Sequence, residues 1–350
     1  MSGPFDSRVQ GEAERLFERL GRLGWSRGEC TLIAPLTLRI RDLASQKRAV
    51  ILAHSYQTPD IQFGIADHRG DSLGLSEVAR DTDADVIVFC GVRFMAETAK
   101  VLSPGKVVLH PEPLAGCSLS ESVTAADVRR LRAEHPQAAF VCYVNTSAEV
   151  KAECDVVCTS ANALAVVEGM PQEEIVFLPD HFMAENLRRM TGKKIIAYHG
   201  SCIVHETFTA DVARSWRKAF PDARMLVHTE SSPDVVALAD MAGGTGDMIR
   251  YVRNSDAKRF MLVTECGLSD RLRVEFPDRE FLGTCSLCPH MKRIDLRSVL
   301  RALESPSPEQ VVEVPEDIAR RARRAIERMF EVTAARSDGS RPHSGPGERS

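Results

Sequence analysis

Three cysteines divide this chain almost evenly: Cys117, Cys202 and Cys288 stand 85 and 86 residues apart. Each closes an apolar run of strand type at a glycine- or proline-bearing corner, in VVLHPEPLAGC (107–117), KIIAYHGSC (194–202) and REFLGTCSLC (279–288). Self-similarity at a fixed period marks an internal repeat, and a repeat constrains architecture more than any single motif. The surrounding text repeats too. VTAADVRRLRAEHPQAAFVCYV (123–144) matches FTADVARSWRKAFPDARMLVHT (208–229), with Asp127 against Asp211 and Pro136 against Pro221 after a one-residue shift. FMAETAKVLSPGKVVL (94–109) matches FMAENLRRMTGKKIIA (182–197). One thiol per repeat is what a shared metal site needs if three lobes close around a centre.

Each unit reads as strand, polar corner, helix, strand, helix, strand, cysteine. The first strands are RAVILAH (48–54), AAFVCYV (138–144) and ARMLVHT (223–229). The second are ADVIVFCG (84–91), CDVVCTSA (154–161) and RFMLVTE (259–265), and the third carry the cysteines. The runs are continuously apolar and rich in Val and Ile, the pattern of parallel strands covered on both faces. Between them apolar residues recur at helical spacing, as at Val123, Val128 and Leu131. The expected fold is therefore α/β, with three pseudo-threefold-related αβα lobes and parallel sheets around a central site. Residues 1–47 read as a helical segment with Leu16, Leu20 and Leu23 as its core contacts. Residues 48–138, 139–223 and 224–332 are the three repeats. Residues 333–350, rich in Ser, Gly, Pro and Arg, read as a disordered tail.

Composition narrows the function classes. The formal net charge of −4 gives no reason to invoke nucleic acid or anionic membrane. No run approaches the ~18 apolar residues of a membrane span. The opening MSGPFDSRVQGEAERLF lacks the apolar core of a signal peptide. A cytoplasmic, reducing home is the expectation, and there ten cysteines read as ligands or small core residues rather than disulfides.

Ligands bind outside the carboxyl ends of parallel strands, which is where the polar corners fall: HSYQ (54–57), YVNTS (143–147) and HTES (228–231). The helix starts GDSL (70–73), TSAN (159–162) and GGTGD (243–247) offer free backbone N–H groups to phosphate or carboxylate. His54, Tyr56, Tyr143, His228 and Glu230 gather at the same corners, and Glu and His suit proton transfer when burial tunes them. Cys90, Cys142 and Cys158 lie inside apolar strands and read as core. Cys30 and Cys154 lack partners at ligand spacing, and Cys266 is ambiguous. Cys117, Cys202, Cys285 and Cys288 remain. Four thiolates suit tetrahedral zinc; three suit a [4Fe–4S] cluster with one iron open. Soft sulfur serves either metal, although two isolated cysteines so far apart favour the cluster.

With these strings assembled, the chain resembles the quinolinate synthase family over residues 48–300. The resemblance rests on AHSYQ (53–57), GDSL (70–73), FCGVRFMAETAK (89–100), AGCSL (115–119), YVNTSAEVKAECD (143–155), TSAN (159–162), GSCIVH (200–205), HTES (228–231) and CPHMK (288–292), in that order. It implies a [4Fe–4S] cluster held by Cys117, Cys202 and Cys288. Cys285 would complete a CxxC that in some relatives is viewed as redox-responsive. It implies an enzyme of NAD biosynthesis that condenses 2-iminosuccinate with dihydroxyacetone phosphate to quinolinate, releasing phosphate and two waters. The unstable iminosuccinate implies transient contact with the enzyme that makes it. Glu230 would be the base, with His54, Tyr56 and His228 as further catalytic residues. Ser72, Tyr143, Asn145, Ser160, His205 and Thr245 would contact substrate. The chain departs from the family pattern at Ser55, Arg93, Thr229, Ser231 and Gly244. These departures leave room for a diverged cluster-dependent dehydratase or condensing enzyme, and the CxxC for an iron–sulfur redox sensor.

Overall fold

The computed structural model describes residues 4–283 and 286–337, with side chains described for 7–283 and 286–334. The first lobe holds β1 (Ala49–His54), β2 (His68–Gly70), β3 (Val86–Cys90) and β4 (Val107–Leu109). The second holds β5 (Ala139–Tyr143), β6 (Val156–Cys158), β7 (Glu174–Leu178) and β8 (Lys194–Ala197). The third holds β9 (Arg224–His228), β10 (Met241–Gly243), β11 (Arg259–Val263) and β12 (Glu280–Leu282). Each lobe is one four-stranded sheet with the same order: β2-β1-β3-β4, β6-β5-β7-β8 and β10-β9-β11-β12. Every pairing between these strands is parallel. Helices connect successive strands, as parallel crossovers require, so the fold is α/β with three αβα lobes.

The strand assignment needs one correction. The runs 84–91 and 259–265 form β3 and β11, third in their lobes, but 154–161 forms β6, second in its own. The true counterpart of β3 and β11 is β7, EIVFL. The edge strands β2 and β10, reading HRG and MAG, are three residues long and mostly not buried. A strand so short and so little covered carries no apolar period, whereas in the second unit the strand passed over is the apolar β7; each unit has one more strand than the sequence suggests.

The segment before β1 is helical at Pro4–Leu20 and Arg27–Gln46. A Ser26–Glu29 capping box starts the second helix. Leu16 and Leu20 are fully buried and Leu23 partly so. The last helix, Glu316–Ser337, begins inside the stretch read as the third repeat but packs on the second lobe. Its Ala322, Ala325, Ile326 and Met329 share a core with Val156, Val166 and Val167. It runs five residues into the stretch expected to be irregular; residues 338–350 lie outside the described residues. Among the described residues, no helix is long and apolar enough to cross a membrane.

Candidate active site

In each lobe the chain passes from the second strand in sheet order to the edge strand beside it, then crosses and continues on the other side, which puts a topological switch beside β1, β5 and β9. The carboxyl ends of these strands carry His54, Tyr143 and His228. The edge strand of each lobe leads into a polar helix start. β2 is followed by the helix Ser72–Asp81, β6 by Ala163–Gly169 and β10 by Thr245–Asn254. Two glycines let these starts approach one another. A Cβ on Gly244 would overlap the Ser160 hydroxyl, and one on Gly246 would overlap the Asp71 carboxylate.

One cavity collects these ends. It is lined by His54, Tyr56, Ser72, Tyr143, Asn145, Ser160, His205, His228, Glu230, Thr245, Cys117, Cys202 and Cys288, every candidate named from the sequence among the described residues. Asp71, Ser118, Phe94, Met95, His290 and Met291 line it too. They sit inside or beside the quoted motifs, but residue type alone did not mark them for the site. Ser55, Arg93, Thr229, Ser231 and Gly244 are not among the lining residues. Ser55 accepts a hydrogen bond from Arg271 (2.9 Å) and donates to Gly70 O (3.0 Å). Arg93 turns to the Glu309 carbonyl (3.1 Å).

Glu230 is the centre of a fully buried network. Its Oε1 accepts the Tyr143 hydroxyl at 2.5 Å, and its Oε2 lies 2.9 Å from His205 Nδ1. His205 Nε2 lies 2.9 Å from Thr264 Oγ1, which in turn lies 2.7 Å from the Tyr56 hydroxyl. The His205 ring stacks on His228 at 4.4 Å between centroids. Tyr143 belongs to the second lobe, Tyr56 to the first, and Glu230, His228 and Thr264 to the third, so this network needs all three lobes. Thr264 was not foreseen. The signal for it was weak: a polar residue just past the end of β11, next to the strand that ends in His228.

Burial dominates the proton affinities here. It pushes His54 down to about 3, helped by His228, and His228 down to about 3, helped by His205. Both imidazoles are thus neutral at pH 7. Burial, then the Glu230 charge, raises the Tyr56 and Tyr143 phenols well above their ordinary value. Burial alone would raise the Glu230 carboxyl as well; the imidazoles of His228 and His205 and the hydrogen bonds from His205 and Tyr143 outweigh it and hold it below the usual range.

The three cysteines share one local design. Each precedes a short helical turn, at Ser118–Glu121, His205–Thr207 and Met291–Arg293. The backbone N–H groups two and three residues on face the sulfur: Leu119 and Ser120 for Cys117, Val204 and His205 for Cys202, His290 and Met291 for Cys288. Burial nevertheless pushes Cys117 up to about 12, Cys202 well up, and Cys288 up. Sulfurs this buried, each met by N–H donors, would become thiolates with a cation among them. The donor set therefore fits a thiolate-held metal centre. Cys202, His205 and Glu230 also lie within 4.8 Å of one another. The His205–Glu230 hydrogen bond accounts for that closeness, and a single ion there would have to break it. Cys285 lies outside the described residues. Glu265 accepts the Cys288 N–H (3.2 Å) and pairs with Lys292 (2.8 Å), and Lys292 also donates to the Tyr56 carbonyl. That clamp ties the third cysteine to the first lobe.

The family model for NadA, quinolinate synthetase A protein, matches residues 38–331. Over 330 residues the chain is 48% identical to quinolinate synthase 2 of Mesorhizobium japonicum, covering 93% of this chain and all of the relative. It is 50% identical over 293 residues to quinolinate synthase of Xylella fastidiosa, covering 84% of this chain and 86% of that one. A quinolinate synthase of Sinorhizobium medicae is 45% identical over 328 residues, 94% and 90% of the two chains.

Proposed function

The chain belongs to the quinolinate synthetase A family, and on that premise we propose that it is a quinolinate synthase. In this reading it condenses 2-iminosuccinate with dihydroxyacetone phosphate and releases quinolinate, phosphate and two waters. The observation that carries the reading is the single cavity in which one half-buried cysteine from each repeat faces the Glu230 network. Cys117, Cys202 and Cys288 would hold a [4Fe–4S] cluster. When bound, such a cluster supplies a Lewis acid at the iron that no thiolate holds.

The chain's own residues do the rest. Glu230, held ionised by two donors, accepts a proton from the reactant at a carboxylate oxygen. Tyr143 and His205 hold that carboxylate in place. Neutral His54 and His228 offer hydrogen bonds without adding charge. The starts of the helices Ser72–Asp81 and Thr245–Asn254 present N–H groups and hydroxyls to the anionic ends of the substrates, with Ser160 and Asn145 beside them. Phe94, Met95 and Val92 exclude water on the apolar wall.

The five departures from the family pattern lie off the cavity lining, which favours the family's reaction over a diverged one. The test is direct. Anaerobically prepared protein should be brown, hold about four irons per chain, form quinolinate from the two substrates and rescue a quinolinate auxotroph. Colourless protein carrying stoichiometric zinc, or a cluster without rescue, would defeat the proposal.

A further inference from the structure

Asn145 lines the cavity from the corner that follows β5. Its side chain makes no hydrogen bond with the described residues, so the backbone on either side sets where its amide points. Within the corner, the Val144 N–H donates to the Cys158 carbonyl of β6 (2.7 Å), the Thr146 N–H to the Val144 carbonyl (2.8 Å) and the Thr146 hydroxyl to the Tyr143 carbonyl (3.0 Å). The carbonyls that flank Asn145 are held from outside the corner by one group. Lys151 Nζ donates to Val144 O (2.8 Å) and to Thr146 O.

Lys151 belongs to the motif YVNTSAEVKAECD and to the helix Ala148–Ala152, whose start Ser147 caps through the Val150 N–H (3.3 Å). Its side chain is fully buried. Its Nζ stands 5.4 Å from the ring centroid of Phe94, which walls the same cavity. Glu97, the carboxylate whose charge reaches it, is bonded to Arg93 (3.5 Å) and to the Ala148 N–H (3.0 Å). Burial pushes the ammonium down to about 8, so it stays charged at pH 7. An apolar side chain here would escape the desolvation cost of a buried charge, but it would take a donor from two carbonyls inside the protein.

We infer that Lys151 is a positioning residue: by holding both carbonyls that flank Asn145, its ammonium aims the Asn145 amide at the bound reactant. Lys151 itself does not line the cavity. Without the ammonium, the peptide units on both sides of Asn145 are freed and the amide samples other directions. The kinetic part of this inference rests on the proposed reaction, in which Asn145 contacts substrate; the clamp does not.

The experiment is a double-variant cycle in the full-length, cluster-loaded chain. Lys151→Met keeps the apolar stem and removes the donors. Lys151→Met and Asn145→Ala should each lower kcat/KM for quinolinate formation about tenfold with iron content unchanged. The double variant should match Asn145→Ala to within about twofold. If position 151 only supports the fold, the losses multiply to about a hundredfold. That product, or either single variant at the parental kcat/KM, overturns the inference. Lys151→Gln, with two donors on a shorter stem, takes its place in the cycle if Lys151→Met does not fold. In the full-length chain labelled with 15N at lysine Nζ, one ammonium signal at pH 6 should outlast the others in exchange with solvent and be missing from the Lys151 variant. If the variant loses no protected signal, the clamp is refuted. If the parent forms no quinolinate, the proposed reaction falls while the ammonium signal still judges the clamp.

Discussion

At the residue scale, the carboxylate of Glu230 is shaped by two opposed effects, burial that favours its neutral form and two donors that favour its charged form. Glu230→Gln keeps the size and loses the base. Its kcat should fall about 10²–10⁴-fold with iron content unchanged; retention of turnover would remove Glu230 from the chemistry. Tyr143→Phe deletes the 2.5 Å donor, so the carboxyl should bind protons more readily. Since the base must be ionised, the acidic limb of the kcat/KM profile should move to higher pH, and a limb that stays put would show that Tyr143 does not hold the carboxylate. Much of the site was legible because its residues sit at strand ends and helix starts, where sequence position and spatial position agree. Thr264 was not, because its role comes from side chains of two other lobes, His205 and Tyr56, that sequence spacing does not bring beside it.

At the element scale, close approach of helix starts to neighbouring corners sets the cavity walls. The helix Cys266–Glu275 begins against the first lobe: a Cβ on Gly267 would lie 2.8 Å from Tyr56 Cα and 2.9 Å from its carbonyl carbon. Backbone cannot yield as a side-chain tip can. Gly267→Ala should therefore cost about 1–3 kcal/mol by overpacking and lower kcat by moving Tyr56. Unchanged melting and turnover together would show that the two lobes are free to part. The helices and central strands could be read from apolar period, as at RAVILAH and ARMLVHT. The displaced β6 could not, since an apolar run shows that a strand is covered but not which place it takes in the sheet. The docking of Glu316–Ser337 on the second lobe was hidden for a similar reason: an apolar helix face does not say which lobe it covers.

At the scale of the whole molecule, each lobe supplies one sulfur to one cavity, so Cys117→Ala, Cys202→Ala or Cys288→Ala should each abolish stable iron binding, read as loss of colour and iron; a variant that keeps its full cluster would break the threefold assignment. The same burial that suits the site makes the fold sensitive to acid. His54 and His228 are pushed down to about 3 and His110 to about 4, in each case first by burial. In the unfolded chain each titrates near ~6.5. Between these limits the unfolded chain binds protons that the folded chain refuses, so stability is full above about pH 6.5 and is lost as pH falls, by up to ~1.4 kcal/mol per pH unit for each histidine. The depressed Glu230 adds a loss of the same sign below its own unfolded value near ~4.3. A bound cluster alters the charges around His54 and His228, but His110 stands apart from the cavity, with Nε2 3.0 Å from the Gly91 carbonyl and Nδ1 unpartnered. His110→Gln can keep the hydrogen bond and cannot titrate. Urea unfolding from pH 6.5 down to 4 should therefore show a shallower loss of stability in this variant, by about 1.4 kcal/mol per pH unit, whereas parallel curves would mean that His110 takes up its proton without leaving the fold.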